Sequence, residues 1–283
     1  MMIRATIAAI LFSLTAAAAP PQVDWLFPIG AQRGSEALAQ IGGKFQWPLK
    51  TWADDPGIAI TADAIKKGFF KITVAKGVTP GPHLVRFYDG NGTAPPRVFF
   101  VSKAPDVPEK EPNNEMLSPQ SVDVLPAVIH GKLQSGGDVD SYRVKLKAGQ
   151  FFIAQLDAYT AGVSMDALML LRDHRGVKLA FNHDAHSLDP RLVWQCDRDG
   201  EYVLQVAAFK FPANSTSSFS GGANHVYRIT LTNGPWIRHA WPHGAAAGTK
   251  GSVGLIGWNL KKPSAITPKN PSRETVVAVD AAN

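Results

Sequence analysis

Short runs of alternating apolar residues, separated by turn-forming Gly, Pro, Asn and Asp, recur along most of the chain, whereas helical periodicity is hard to find. The runs are Phe69 to Val74, His83 to Tyr88, Arg97 to Val101, Tyr142 to Leu146, Phe151 to Leu156, Ala167 to Leu171, Tyr202 to Val206 and Tyr227 to Leu231. Strands at intervals of roughly 8–15 residues, with turns between them, are typical of β-sandwiches. The sequence therefore predicts an all-β fold of tandem β-sandwiches.

Two stretches interrupt this pattern and predict domain boundaries. Residues 104–114 are rich in Pro and acidic residues and have almost nothing to bury, so we expect a linker there. Asn233-Gly234-Pro235 follows a strong strand and marks the second boundary. The chain has 283 residues, which is room for two or three domains. Residues 108–233 have the size of one β-sandwich.

The segments outside these boundaries resemble each other, which indicates an internal repeat. Residues 25–45 align with residues 238–260 at an offset of 214, which pairs Pro28, Gly30 and Gly34 with Pro242, Gly244 and Gly248. After one inserted residue, Ile41, Gly42 and Phe45 match Ile256, Gly257 and Leu260 at an offset of 215. We therefore expect an immunoglobulin-like domain over residues 21–103 and a partial second copy over residues 235–283.

The first 18 residues have the features of a signal peptide. Arg4 supplies the positive charge, Ala5 to Leu14 is apolar, and the small residues at 16 and 18 predict cleavage after Ala18. The alternative is an uncleaved N-terminal anchor. No other stretch of 18 residues is apolar enough to span a membrane. We expect an exported protein in the periplasm, at the cell surface or outside the cell.

Composition and motifs exclude several function classes. The net charge of +6 is spread along the chain rather than gathered in a basic stripe, so no nucleic-acid partner is expected. The single cysteine, Cys196, excludes an intrachain disulfide and a paired-cysteine zinc site, and its strand-like surroundings predict burial. The chain has no nucleophile elbow, HExxH motif, P-loop or dinucleotide-binding glycine motif. We therefore predict no catalytic residue and no enzymatic activity.

Eight short motifs occur in a fixed order between residues 108 and 232: Glu111 to Asn114, Ile129 to Leu133, Gly137 to Tyr142, Lys147 to Gln150, Asp166 to Leu170, Asp189 to Leu192, Gly200 to Leu204 and Tyr227 to Ile229. Together they resemble the bacterial pre-peptidase C-terminal domain. The turn-rich opening segment and the run from His83 to Val101 resemble immunoglobulin-like modules of the IPT/TIG kind. These resemblances imply a jelly-roll-like sandwich beside immunoglobulin-like modules, in an accessory binding or spacer role outside the cell.

An acidic group of residues is the main candidate for a site. Glu109, Glu111 and Asn113 lie in the expected linker, and Asp138 and Asp140 lie in a Gly-Asp-Val-Asp loop. Calcium takes about six to eight oxygen ligands and tolerates irregular geometry. Some members of the resembled family bind calcium at this place, so the resemblance implies a calcium site. The alternative is that the two aspartates cap a tight turn while the linker acids stay solvated.

Two further groups have both a structural and a functional interpretation. His183, Asp184, His186 and Asp189 are of the types that bind transition metals, but Asn and Asp in such a loop more often cap a turn. Aromatic residues of the immunoglobulin-like segments have the chemistry of a sugar or peptide platform, but packing is the commoner role of Trp. They are Trp25, Phe27, Trp47, Trp52, Trp236, Trp241 and Trp258.

These observations favour an exported, non-enzymatic protein whose sandwiches bind or display an extracellular protein or polysaccharide. Calcium is the one cofactor expected, and neighbouring modules of a longer protein are further expected partners. The alternative is the accessory region of a secreted peptidase or other hydrolase whose catalytic domain is absent from this chain.

Overall fold

The computed structural model describes residues 19–215, 217–243 and 254–260. The expected signal peptide, residues 1–18, and much of the expected second repeat lie outside the described residues. Strands dominate the described part, which contains a short 3₁₀ turn at Tyr159–Ala161 and no α-helix. The expected all-β fold of tandem β-sandwiches is confirmed. Among the described residues, no helix is long and apolar enough to cross a membrane.

The first domain is a sandwich of two sheets. Its strands are β1 (Gln22–Phe27), β2 (Gly30–Gln32), β3 (Glu36–Lys44), β4 (Lys50–Ala53), β5 (Ile58–Ala62), β6 (Phe69–Val74), β7 (Gly81–Asp89), β8 (Gly92–Thr93) and β9 (Arg97–Ser102). One sheet has the order β1-β3-β6-β5 and the other β2-β9-β7-β4, with β8 paired to β7. Phe70, Phe87 and Phe99 are fully buried between the two sheets, because alternate residues of each strand face inward.

The second domain is a larger sandwich of two five-stranded sheets. Its strands are β10 (Asp106–Pro108), β11 (Gln120–Val122), β12 (Ala127–Lys132), β13 (Asp140–Leu146), β14 (Phe151–Asp157), β15 (Asp166–Asp173), β16 (Lys178–Asn182), β17 (Arg191–Gln195), β18 (Gly200–Phe209) and β19 (Val226–Thr232). The sheet orders are β10-β12-β19-β14-β17 and β11-β13-β18-β15-β16. The short edge strands β10 and β11 pair in parallel, and the other pairs are antiparallel.

The structure corrects the interpretation of residues 104–114 as a linker with nothing to bury. Asp106–Pro108 forms β10, whose residues pair in parallel with Val128–His130 of β12. Asn113 is fully buried. The Pro-rich composition conceals this role because β10 is an edge strand, where a residue such as Pro108 needs no N–H partner on its outer side.

The two domains share an extensive interface. Trp25, Phe27 and Phe100 of the first domain pack against the core of the second, and Ile29 is buried within that core. Arg97 crosses the interface and donates from Nη1 to the carbonyl of residue 162 at 2.9 Å and from Nη2 to the carbonyl of residue 23. Packing between domains is therefore the role of the first two aromatic residues, as the sequence led us to expect.

The segment predicted as a second copy contains a two-stranded sheet of β20 (Trp236–Trp241) and β21 (Gly254–Trp258). Val23 pairs with Gly43 next to a bulge in β1, and Ile237 pairs with Gly257 next to a bulge in β20. The offset is therefore 214 in both strands, and the inserted residue expected from the sequence is absent. A Cβ at Gly43 or Gly257 would lie about 2 Å from a carbonyl oxygen of the partner strand (2.1 and 1.9 Å), which explains both glycines.

Candidate cation-binding site

The acidic residues meet at one end of the second sandwich, next to the first domain. Asp138, Asp140 and Tyr142 follow each other at alternate positions, so all three point to the same side of β13 and of the loop before it. Glu109 follows β10 and is fixed to β12, because its N–H donates to the carbonyl of residue 130 at 3.0 Å and its Oε2 accepts the N–H of Lys132 at 2.9 Å. Residues far apart in sequence thus converge between the two sheets.

Two buried tyrosines form the floor of this cluster. The hydroxyls of Tyr142 and Tyr227 lie 2.6 Å apart, and each donates to Oε1 of Glu109, at 2.9 and 3.1 Å. The hydroxyl of Tyr227 also contacts Oδ2 of Asp140, so its single proton is shared between the two carboxyl groups. Gly131 leaves room for this ring, since a Cβ there would lie 2.3 Å from Cζ of Tyr227. Burial and the neighbouring carboxylates raise the pKa of both tyrosines, so both remain donors.

Asp140 is the most perturbed acid of the cluster. Its side chain is inaccessible to solvent. Burial and the charge of Glu109 together raise its pKa from 3.8 to about 10, and the hydroxyl of Tyr227 opposes the shift. A carboxyl group with this pKa carries a proton at neutral pH unless a cation replaces it.

The amide of Asn113 lies between two of the acids. Its nitrogen faces both of them and donates to Oε2 of Glu111 at 3.0 Å and to Oδ1 of Asp140 at 3.2 Å. The amide therefore joins the two carboxyl groups by hydrogen bonds.

Asp138 completes the ring of oxygens. Its Oδ1 accepts a hydrogen bond from Nδ2 of Asn114 at 2.9 Å, and its Oδ2 accepts the backbone N–H of Gln134 at 2.5 Å. Carboxylate oxygens of Glu111, Asp138 and Asp140 all lie within 4.8 Å of one another. Burial and the nearby carboxylates raise the pKa of Glu111. Three carboxylates in this space repel one another unless protons or a cation compensate them.

The structure brings together four of the five residues predicted as calcium ligands. Glu111, Asn113, Asp138 and Asp140 line one space, whereas Glu109 lies behind Asp140 with both oxygens already hydrogen-bonded. The turn-cap alternative holds for one aspartate, since Asp138 accepts a backbone N–H, while no backbone donor reaches Asp140 among the described residues.

Sequence reasoning missed the two tyrosines and Asn114 as parts of the site. Tyr142 and Tyr227 lie on the same strand faces as the apolar residues two and four positions later, so they resembled ordinary core positions. The available signal was chemical, because a buried tyrosine hydroxyl needs a hydrogen-bond partner, and acidic side chains lay two and four residues before Tyr142.

The donor set fits calcium. Three carboxylates provide hard oxygen ligands, the amide of Asn113 lies beside them, and their number leaves positions for water within the six to eight that calcium takes. Lys132 is a cationic neighbour of Glu109, but its Nζ lies over the rings of Trp25 and Phe27, at 4.8 and 5.0 Å from the centroids.

The other candidates have different surroundings. Asp189 is a structural residue, since its carboxylate accepts hydrogen bonds from three backbone N–H groups at 158–160 and from the hydroxyl of Thr160. Cys196 is buried, as predicted, and its thiol donates to the carbonyl of residue 198 at 3.0 Å. Among the aromatic candidates, Trp52 and Trp241 are exposed.

Fold and site together define a class of protein: tandem β-sandwiches whose second member carries a buried acidic cluster at the junction with the first. No protein-family model matches the chain. A probable subtilase-type serine protease of Deinococcus radiodurans is 36% identical over 123 residues, which is 41% of this chain and 16% of the protease. The chain thus spans about one sixth of the length of this relative.

Two solved structures match parts of the chain with low TM-scores. The pre-peptidase C-terminal domain of a collagenase from Bacillus anthracis has a TM-score of 0.32 and 14% identity, and the match covers 42% of this chain and all of that domain. The protein SGBP-B of a mixed-linkage glucan utilization locus of Bacteroides ovatus has a TM-score of 0.24 and 9% identity, with 72% of each chain covered.

Proposed function

We propose that the protein is an exported, non-enzymatic module that binds or spaces extracellular components, and that calcium at the acidic cluster stabilises its second sandwich. The observation that carries the calcium proposal is the convergence of Glu111, Asp138 and Asp140, whose carboxylate oxygens lie within 4.8 Å of one another. Glu111, Asn113, Asp138 and Asp140 would hold the ion, with water in the remaining positions. Bound calcium would supply the positive charge that the cluster lacks.

Calcium accounts for more of the geometry than turn capping does. A turn cap requires one carboxylate with backbone donors, which Asp138 provides. It does not require a second, fully buried carboxyl group beside Glu109, nor a third carboxylate, that of Glu111, within 4.8 Å of both aspartates. A divalent cation stabilises all of these features at once.

Thermal unfolding of the full chain, after dialysis against chelator, tests the calcium site. Millimolar calcium should raise the melting temperature; a concentration about a hundredfold above Kd stabilises by about 2.7 kcal/mol, which corresponds to roughly 5–10 °C for a chain of this size. Asp138→Asn should abolish the response, whereas Glu115→Gln, an exposed acid in the same segment, should retain it. An unchanged melting temperature in wild-type protein at millimolar calcium would exclude the site.

An extracellular protein or a polysaccharide is the proposed binding partner. Sedimentation of the purified chain with insoluble cell-wall polysaccharide, starch or gelatin, each with calcium and with chelator, distinguishes these classes. Saturable binding to one polymer identifies its class, and absence of binding to all of them leaves the spacer role.

A second candidate function is the accessory region of a secreted peptidase. The similarity to a probable subtilase-type serine protease, at 36% identity over 123 residues, favours it. Immunoblotting of the native culture with antibody against this chain tests this candidate. A species much larger than the 30.4 kDa of the chain, with protease activity, supports it, and a species of the chain's own size contradicts it.

A further inference from the structure

A second group of metal-binding side chains lies at the β15 and β16 end of the second domain. Asp166 is the first residue of β15, and His183 and Asp184 directly follow β16. Because Met169 pairs with Asn182 in an antiparallel register, the chain after β16 continues alongside the start of β15. A ring nitrogen of His183 and carboxylate oxygens of Asp166 and Asp184 all lie within 4.8 Å of one another.

Asp166 is an unsatisfied member of this group. Its Oδ1 is buried and accepts no hydrogen bond from the described residues. Burial and the charge of Asp184 raise its pKa, and His183 opposes the shift. A buried carboxylate oxygen without a donor is costly, and most such atoms in folded proteins have a partner. The unpaired oxygen is therefore a second observation, independent of the clustering, that indicates a missing cationic partner.

The imidazole of His183 is held in place within this group. Its ring contacts the rings of Phe181 and Phe209, at 5.6 and 5.9 Å between centroids. Its Nδ1 lies 3.0 Å from Oδ2 of Asp184, a separation that two ligands of one zinc ion can have when each is about 2.0–2.2 Å from the metal. The aromatic contacts restrict ring rotation and so lower the entropy lost when a metal binds.

The structure also separates the residues that the sequence grouped together. Asp189 uses both oxygens to order residues 158–160 and has no role as a ligand. His186 is exposed and belongs to an isolated β-bridge with Asp189, outside the group. Asp166, which is 17 positions before His183, takes the place expected for Asp189 and His186.

We propose that Asp166, His183 and Asp184 form a binding site for a divalent transition metal, with zinc as the physiological class of ion. One imidazole and two carboxylates are a mixed donor set that suits zinc, whereas calcium takes oxygen ligands alone. Three protein ligands leave at least one coordination position for water or for a group of a bound partner. The site shares no residue with the acidic cluster around Asp140.

Isothermal titration of the chelator-treated full chain with zinc, in millimolar calcium so that the acidic cluster is saturated, tests this proposal. Wild-type protein should bind about one equivalent through this site. His183→Ala and Asp166→Asn should each weaken zinc binding at least tenfold, while His186→Ala, the matched control three residues away, should leave it unchanged. Cobalt in place of zinc provides a visible absorption spectrum that reports ligation by His183.

The side chain of His183 is about half exposed, so its replacement should leave the fold intact, and melting curves without zinc check each variant. The proposal is overturned if wild-type protein binds no zinc, if His183→Ala and Asp166→Asn bind it as tightly as wild type, or if His186→Ala loses as much affinity as they do. These outcomes do not depend on the calcium proposal, since Asp138→Asn should bind zinc normally.

Discussion

Replacing Asp140 with Asn should change how the stability of the second sandwich depends on pH and calcium. An amide has nearly the shape of a protonated carboxyl group, so the substitution preserves the packing beside Tyr227 while removing an ionisable group. In the metal-free protein, Asp140 holds a proton because it is buried beside Glu109. The variant mimics that protonated state at every pH.

The size of the expected pH effect on the free energy of unfolding follows from the shift of the Asp140 pKa from 3.8 to about 10. Between these two values the folded state holds a proton that the unfolded chain has released. Stability therefore falls as the pH rises, by at most about 1.4 kcal/mol per pH unit for one proton. Between about pH 6 and about pH 8, Asp140 alone should lower the free energy of unfolding of the wild-type protein by up to about 3 kcal/mol. The Asp140→Asn variant should not show this decrease.

Urea unfolding of the chelator-treated proteins at the two pH values, followed by circular dichroism, measures the difference. Calcium should displace the proton of Asp140, so it should stabilise wild-type protein more at the higher pH and the variant little at either pH. If the free energy of unfolding depended equally on pH in wild type and variant, the assignment of the proton to Asp140 would be refuted. Equal stabilisation of both by calcium would refute its role as a ligand.

Substitutions at three other positions test separate parts of the structure, two positions by thermal unfolding and one by limited proteolysis. Gly131→Ala should destabilise by about 1–3 kcal/mol and reduce the calcium response, since its Cβ would overlap the ring of Tyr227. Asp189→Ala should cost about 3 kcal/mol because it leaves the N–H groups of residues 158–160 without their acceptor, and Asp189→Asn should cost less. Arg97→Ala should loosen the domain interface, which faster limited proteolysis between the domains would reveal. A full calcium response in Gly131→Ala would contradict the first explanation. The second would be contradicted if Asp189→Asn cost more than Asp189→Ala, and the third if Arg97→Ala left proteolysis unchanged.

Local patterns predicted most of the strands, because alternation depends on neighbouring residues alone. The run Phe69–Val74, for example, is β6 with the expected boundaries. Alternation does not predict burial where a side chain faces the other domain. Arg228 of β19 is buried although its residue type predicts exposure, because it pairs with Asp157 at 2.8 Å and lies over the ring of Phe100.

Contacts between distant segments were not predictable from one sequence. β10 is a strand because β12 offers it an edge, and its own composition gives no sign of this. One partner of Glu109 in the cluster is Tyr227, which is 118 residues away. Asp166 meets His183 through the register of two strands, which is set by packing over the whole sheet. These are the contacts that build both candidate sites, so the sites were harder to predict than the fold.

The position of the acidic cluster explains how calcium could matter for a spacer. Asp106 accepts the backbone N–H of Gln32 in the first domain at 2.7 Å, and Glu109, three residues later, contacts the tyrosines under the cluster. Lys132, whose N–H binds Glu109, places its Nζ over two aromatic rings of the first domain. The segment that touches the cluster is thus also the segment that joins the domains. A cation that orders it would fix the angle between the two sandwiches as well as stabilising one of them.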